Sequence, residues 1–325
     1  MVKEITVKRT LPVNLKPEDN SLFEQARTAT FFVLPTISVE KAVIFQDTAF
    51  SLKDFKFHTE YTHVNGLGLL PKLKRTVTCA LKRWRKISDG IWIKDEWSAN
   101  YFHWMTDCLP RIWTAREYGA TDKIILHDSF KHLSFVRESL DLLGITPLYF
   151  SSSENLLIDK LILTPRTANF PNFNEPLTIL TRKKLSLSST RNPFQKVYVS
   201  RKLAKKRRVH NELDVELLMI KYGFEIVCTE MLSLKRQIEL MAETRVLVSL
   251  HGAALTNMIF MQEGQHVVEL RNQGDSKNQC FFNLASAMRL NYYYTLNQGD
   301  TPDTVITDFN IDLVALESLL LSLEK

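Results

Sequence analysis

His103 and Asp107 stand four residues apart in the segment Asn100-Tyr-Phe-His-Trp-Met-Thr-Asp-Cys-Leu-Pro-Arg-Ile, so on a helix they share one face, with Asn100 about a turn ahead. The rest of that helix is apolar and aromatic. Its polar stripe must either be satisfied internally, as a buried structural His–Asp pair, or point into a cleft, because unpaired burial is costly. Pro110 is expected to end or kink the helix after Leu109.

A second constellation lies in the run from Thr244 to Phe260, which reads as a buried strand, a tight turn at His251-Gly252 and a helix. A helix start at the carboxyl end of a parallel strand presents unpaired N–H donors and positive dipole, and Gly252 lets an anionic group approach the backbone. A diphosphate fits such a turn; the plain alternative is an ordinary turn with His251 capping its own helix. The strand Lys196 to Ser200 runs into a basic loop in which Arg201 and Arg208 are candidate phosphate ligands, while Lys202, Lys205 and Lys206 read as solvated. Glu269, near the end of another strand, can accept from ribose hydroxyls or simply face water.

Some motifs are missing. The sequence has no Asp-x-Asp pair for a metal on a donor diphosphate, no Walker loop and no dinucleotide glycine fingerprint. Charge on a departing diphosphate would then fall to arginines and helix dipole, with a divalent ion unnecessary or secondary.

These residues need a scaffold, and the second half supplies a clear one. Lys196 to Ser200, Phe224 to Cys228, Arg245 to Leu250 and His266 to Leu270 read as strands, separated by helices that Asn211 and Ser233 can cap and Gly223 can end. This βαβ alternation predicts a parallel sheet covered on both faces. In the first half, strands are expected at Ala42 to Phe45, Lys123 to Leu126, Pro147 to Phe150 and Leu157 to Leu163. Helices there are expected at Ala99 to Tyr118 and Lys131 to Leu143. The stretch Pro165 to Pro176 lies where the halves would join, giving domains over 1–175 and 176–310. A last helix, Ile311 to Leu323 within a terminal segment 311–325, is expected to pack back on the first.

The composition, with 45% hydrophobic and 24% charged residues over 325 positions, is that of a globular protein large enough for two domains and excludes a disordered or purely structural role. Four widely spaced cysteines form neither metal-ligand pairs nor a disulfide framework, so buried thiols are expected. The apolar stretches Phe31 to Ile44 and Arg245 to Met261 are broken by Pro35, or contain Arg245, His251 and Asn257, and do not span a bilayer. The first residues show no signal-peptide pattern, which makes the cytoplasm, or the inner face of the membrane, the expected location. A net charge of +6 concentrates in Lys72 to Lys86 and Arg201 to Arg208. That charge raises a nucleic-acid-binding alternative, disfavoured because acidic residues accompany the basic ones over most of the chain. The first run suits peripheral contact with an anionic membrane or a lipid-diphosphate acceptor.

Taken in order, three blocks resemble glycosyltransferase family 61: Asn100 to Trp104 with Asp107 and Leu109-Pro110-Arg111; Ser200-Arg201 with Arg208 and Asn211-Glu212; and His251-Gly252-Ala253 with Asn257 and Glu269. They span roughly residues 95 to 275. The resemblance implies a GT-B-like α/β fold of two Rossmann-like domains facing across a cleft, and inversion at the anomeric carbon. It also implies a nucleotide-sugar donor held by Ser200, Arg201, Arg208, Glu212, His251, Gly252, Ala253, Asn257 and Glu269. An oligosaccharide or lipid-linked glycan acceptor would meet Asn100, Trp104 and Arg111. Asp107 is favoured as general base with His103 orienting it, the reverse fitting the spacing almost as well. Unlike eukaryotic members, the chain shows no signal anchor, which favours bacterial capsular or other cell-surface polysaccharide synthesis. A catalytically silent carbohydrate-binding or scaffold protein of the same fold is the other alternative.

Overall fold

A computed structural model describes residues 1–186 and 192–324; residues 187–191 of the expected second domain and Lys325 of the terminal segment lie outside the described residues. The chain is a mixed α/β protein dividing into two compact units, Met1–Ile5 with Phe31–Asn169, and Thr6–Thr30 with Phe170–Lys325. The division is not the contiguous one expected, since residues 6–30 belong to the second unit. Tyr294, for instance, packs its ring on Phe23 and donates its hydroxyl to Asp19.

The second unit is built on a six-stranded sheet in the order Glu225–Val227, Gln195–Val199, Thr244–Leu250, His266–Asn272, Asn291–Gly299 and Phe309–Asn310. The first five strands run parallel and the short last one antiparallel. Thr244–Leu250 and His266–Asn272 are buried almost throughout, as strands covered on both faces must be. Helices Glu212–Lys221 and Leu234–Ala242 make the crossovers. Ser233 caps the second, its hydroxyl accepting from the Arg236 amide, and Gly223 ends the first at φ 74°.

Asn211 does not cap. Its amide side chain instead holds Ile311 by two hydrogen bonds of 2.9 Å, fastening the chain ahead of the helix Leu313–Ser322. That terminal helix does not return to the first half: Leu316, Leu319 and Leu320 are buried in the second unit's core with Val215, Met219 and Tyr198.

The first unit carries a mixed sheet in the order Lys56–Phe57, Thr48–Ser51, Ile37–Phe45, Glu154–Leu163 and Arg83–Trp92, only the last pair being parallel. Ile125–His127 and Leu148–Phe150 form a parallel pair joined to Arg83–Trp92 through an Ile91–Ile124 bridge. Gly90 lets the two sheets meet closely at this junction: a Cβ there would lie 2.3 Å from the end of the Ile125 side chain, which would have to shift. Ala42, Ile44, Trp92, Ile125, Phe150 and Ile158 share one core. Cys79, Cys108 and Cys280 are buried and all four cysteines are free. No helix among the described residues is long and apolar enough to cross a membrane.

Candidate active site

In the second unit the chain leaves Gln195–Val199 toward Glu225–Val227 on one side and returns to Thr244–Leu250 on the other. Sheet order therefore reverses between Gln195–Val199 and Thr244–Leu250, and the crevice beyond their carboxyl ends is where open parallel sheets bind ligands. Two loops meet there, 200–208 and the His251-Gly252 turn. Arg207 joins them, its Nη1 donating to the His251 carbonyl at 3.2 Å.

Sequence reasoning missed Arg207, because a run of four basic residues carries no periodicity that singles one out. It is partly buried with φ 54°, its Nε has no hydrogen-bond partner, and burial together with the Arg201 charge pulls its pKa below the arginine range. Arg201 clasps the loop, donating to the carbonyls of Arg207 at 3.1 Å and Lys206 at 2.7 Å. Burial also depresses Arg201, against the pull of Glu230 and Glu212. Two guanidiniums crowded and desolvated at one switch point form a cradle for an anion.

Arg208 is not part of it. Its side chain is 66% exposed and pairs with Asp308 at 2.9 Å, and no contact with the His251 turn appears among the described residues. Lys202, Lys205 and Lys206 are exposed, as read.

Several expected donor ligands prove to be supports. Ser200 is buried with its hydroxyl 2.6 Å from Glu212 and 2.7 Å from Glu216, able to donate to either, while Glu212 also accepts from the Arg201 amide, fixing where the loop leaves the strand. Glu269 is fully buried: one carboxylate oxygen meets His251 Nδ1, the other Tyr292 and Arg271. Burial would raise its pKa, but Arg271 and His251 outweigh that and hold it below the usual range. A carboxylate spent on those partners sets the His251 ring and leaves no oxygen for a ribose. Asn257 is likewise fully buried, donating to Gln237 at 2.8 Å.

Gly252 is extended at φ 169°, a conformation any residue adopts, and a Cβ there would make ordinary contact with the Arg207 guanidinium at 3.6 Å. Ala253 begins the helix expected after the turn, which is a 3₁₀-helix, Ala253–Phe260. Its first amides still lack partners within the helix.

In the first unit the helical stretch 101–117 contains a π-turn, Trp104–Cys108, between the α-helices Tyr101–His103 and Leu109–Glu117. Pro110 therefore falls in the first turn of a new α segment, where its missing N–H costs nothing, and the helix neither stops nor needs to kink at Leu109. Asn100 caps the start, accepting from the Phe102 amide at 2.9 Å. His103 Nδ1 meets Asp107 Oδ2 at 2.7 Å, the pairing the spacing predicted.

The same oxygen takes an ion pair from Arg166 Nη1 at 2.9 Å, and Arg166 Nε binds Asp95 at 2.9 Å. Burial would lower Arg166, but Asp107 and Asp95 outweigh it and raise its pKa. Its guanidinium also stacks 4.9 Å from the Trp97 ring, which in turn lies 4.9 Å from the His103 ring. Neither Arg166 nor Asp95 was legible in the sequence. Arg166 sits in a stretch read as a linker, and Asp95 follows a strand that was not expected.

Two expected acceptor contacts are core residues instead. Trp104 is fully buried, its indole donating to Ser139 at 2.9 Å. Arg111, 1% exposed, spends its guanidinium on Thr164, the Tyr61 carbonyl and Asp95.

Within one unit, then, an imidazole is paired with a carboxylate that a permanent cation neutralises; within the other, two arginines and a turn meet at the sheet's switch point. An α/β protein carrying these two features suits group transfer from an anionic leaving group. The family model described as Glycosyltransferase 61 matches residues 101–268, a little over half of the chain. The chain belongs to glycosyltransferase family 61, and its activity class is transfer from a sugar donor to a carbohydrate acceptor. The matched span holds His103, Asp107, Arg166, Arg201, Arg207 and the His251 turn. No curated protein matches the chain.

Proposed function

We propose that the protein is an inverting glycosyltransferase that uses a nucleotide-sugar donor, in a GT-B arrangement of a donor unit and an acceptor unit. The observation that carries this reading is the Arg201–Arg207 loop joined to the His251 turn at the sheet's switch point. That crevice takes the donor diphosphate, and its guanidiniums stabilise the charge that grows as the nucleotide departs. No step of the proposal needs a divalent ion.

The acceptor hydroxyl gives its proton to His103, with Asp107 orienting the ring. This reverses the assignment favoured from sequence, because the Asp107 oxygen is already engaged by Arg166 as well as His103. The sugar then bonds to the acceptor oxygen as its bond to the diphosphate breaks. Incubating the enzyme with a panel of nucleotide sugars tests the reading through released nucleoside diphosphate, with and without glycan acceptors. Release from one donor, stimulated by acceptor and yielding the opposite anomer, supports it. No release from any donor points to the silent binding protein.

A second observation favours work at a membrane surface, as in capsular or other cell-surface polysaccharide synthesis from the cytoplasmic side. Helix Leu69–Ala80 exposes Leu69, Leu70, Leu73 and Val77, and Leu81 just beyond it is 92% exposed. From Val64 to Ser88 the chain carries Lys72, Lys74, Arg75, Lys82, Arg83, Arg85 and Lys86 and no acidic residue. A basic helix with an unpartnered apolar stripe suits an anionic bilayer interface. Sedimentation with vesicles containing phosphatidylglycerol should pull down the wild type, and the double variant Leu73→Glu, Val77→Glu should lose about tenfold in partitioning. Equal partitioning, or no preference for anionic vesicles, removes this contact.

A further inference from the structure

A cavity of about 320 Å³ opens in the first unit, lined by Gln46, Asp47, Lys82, Lys94, His127 and Ser129 among others. It involves neither the His103–Asp107 pair nor any residue of the second unit. Lys94 is its unusual member. The residue is 5% exposed, and its ammonium has no hydrogen bond or ion pair among the described residues. What it has are ring faces, Trp92 at 4.6 Å and Phe130 at 5.7 Å. Such contacts stabilise a cation without neutralising it.

The carboxylate in the same cavity does not supply the missing charge. Asp47 is held by Arg75 through two hydrogen bonds, of 2.9 and 3.2 Å, with His63 at 3.6 Å. Lys82, half-buried on the cavity wall, adds a second ammonium without an ion pair among the described residues. His127 and Ser129 are joined through Nδ1 and Oγ at 2.8 Å and bring further hydrogen-bonding groups. Burial depresses the pKa of Lys94, with Asp47 and Asp95 opposing, and burial also depresses His127. A desolvated lysine facing a cavity gains most from an anion that restores its pairing.

We propose that this cavity is a binding site for an anionic oxygen group, a phosphate or carboxylate, held by Lys94 and Lys82 with Ser129 and His127. Lys82 follows directly on the basic helix Leu69–Ala80, so the group can belong to a lipid headgroup or to a soluble molecule. The site lies within the first unit and stands or falls independently of donor binding in the second.

Titration calorimetry of the full chain with inorganic phosphate tests it. The wild type should bind saturably, Lys94→Met should bind about tenfold or more weakly, as loss of a charge-assisted contact implies, and Arg201→Ala should keep the Lys94-dependent binding. Lys94→Met should also melt no lower than the wild type without phosphate, since it removes a buried unpaired charge. Should that variant not fold, Lys82→Met with peptide-resolved hydrogen exchange gives the same answer, through phosphate protection of residues 45–48 and 127–130. Glucuronate in place of phosphate tests the carboxylate. Lys94-dependent preference for phosphatidate over phosphatidylglycerol vesicles marks a headgroup, and Lys94-dependent binding of methyl phosphate with indifferent vesicles marks a soluble ligand. Phosphate binding unchanged in Lys94→Met, or no saturable binding of any of these anions, overturns the proposal.

Discussion

His103→Ala lowers kcat for sugar transfer by about two to four orders of magnitude, the range of general-base contributions, while nucleoside diphosphate affinity stays within about twofold of wild type. The expectation follows from the partners of Asp107. Its Oδ2 meets His103 Nδ1 at 2.7 Å and Arg166 Nη1 at 2.9 Å. An oxygen already held by two partners is poorly placed to take a proton from a third group. An imidazole whose Nδ1–H donates to such a carboxylate has its lone pair on Nε2, and the carboxylate steadies the imidazolium that forms. Asp107→Asn should therefore also lose kcat, through the wrong tautomer and the lost stabilisation, but less than His103→Ala. Steady-state kinetics with saturating donor reads the order. If Asp107→Asn is the more damaging change while His103→Ala retains most of its turnover, Asp107 is the base.

Asp95→Ala costs about 3–5 kcal/mol of unfolding free energy, as expected when a buried carboxylate is taken from between two arginines. Asp95 accepts from the Trp97 amide at 3.0 Å, pairs with Arg166 at 2.9 Å and lies 3.5 Å from Arg111. Its removal strands Arg111, which is 1% exposed, and frees Arg166 from the position in which it grips Asp107. Burial would raise the Asp95 pKa; Arg111 and Arg166 overcome it and hold the group below the usual carboxylate range. The stabilisation is therefore complete above about pH 4, where an unfolded aspartate ionises, and is lost as pH falls through the lower folded value. Urea denaturation at neutral pH and at successively lower pH checks both parts. A loss below about 1 kcal/mol would place the weight of the network elsewhere.

The second unit was the more legible. Its central strands Thr244–Leu250 and His266–Asn272 are buried on both faces and read as continuous apolar runs, whereas the strands Asn291–Gly299 and Phe309–Asn310 were not expected. The order of the sheet, which sets Gln195–Val199 between Glu225–Val227 and Thr244–Leu250, is a tertiary feature that no local motif specified. The first unit hid its frame. Arg83–Trp92 carries three basic residues in its first half and looked like a charged surface run; what makes it a strand is parallel pairing with Glu154–Leu163, far away in sequence.

Site residues divide along the same line. The His103–Asp107 pair is a local spacing and was readable, but Arg166 and Asp95 reach it only through tertiary packing. Glu269, Asn257, Arg111 and Trp104 have the chemistry of ligands and the burial of supports, a difference that sequence does not encode. Arg208 and Arg207 are neighbours in one basic run; only the turn of the loop at φ 54° decides which one faces His251.

The central claim is that the Arg201–Arg207 loop and the His251 turn hold the donor diphosphate, and titration calorimetry against a panel of nucleoside diphosphates tests it most directly. One of them should bind the wild type, Arg207→Ala should weaken it by about 10- to 100-fold as loss of a charge-assisted phosphate contact implies, and Arg208→Ala should leave it nearly unchanged. Equal affinity in wild type and Arg207→Ala, or weakening confined to Arg208→Ala, would contradict the account.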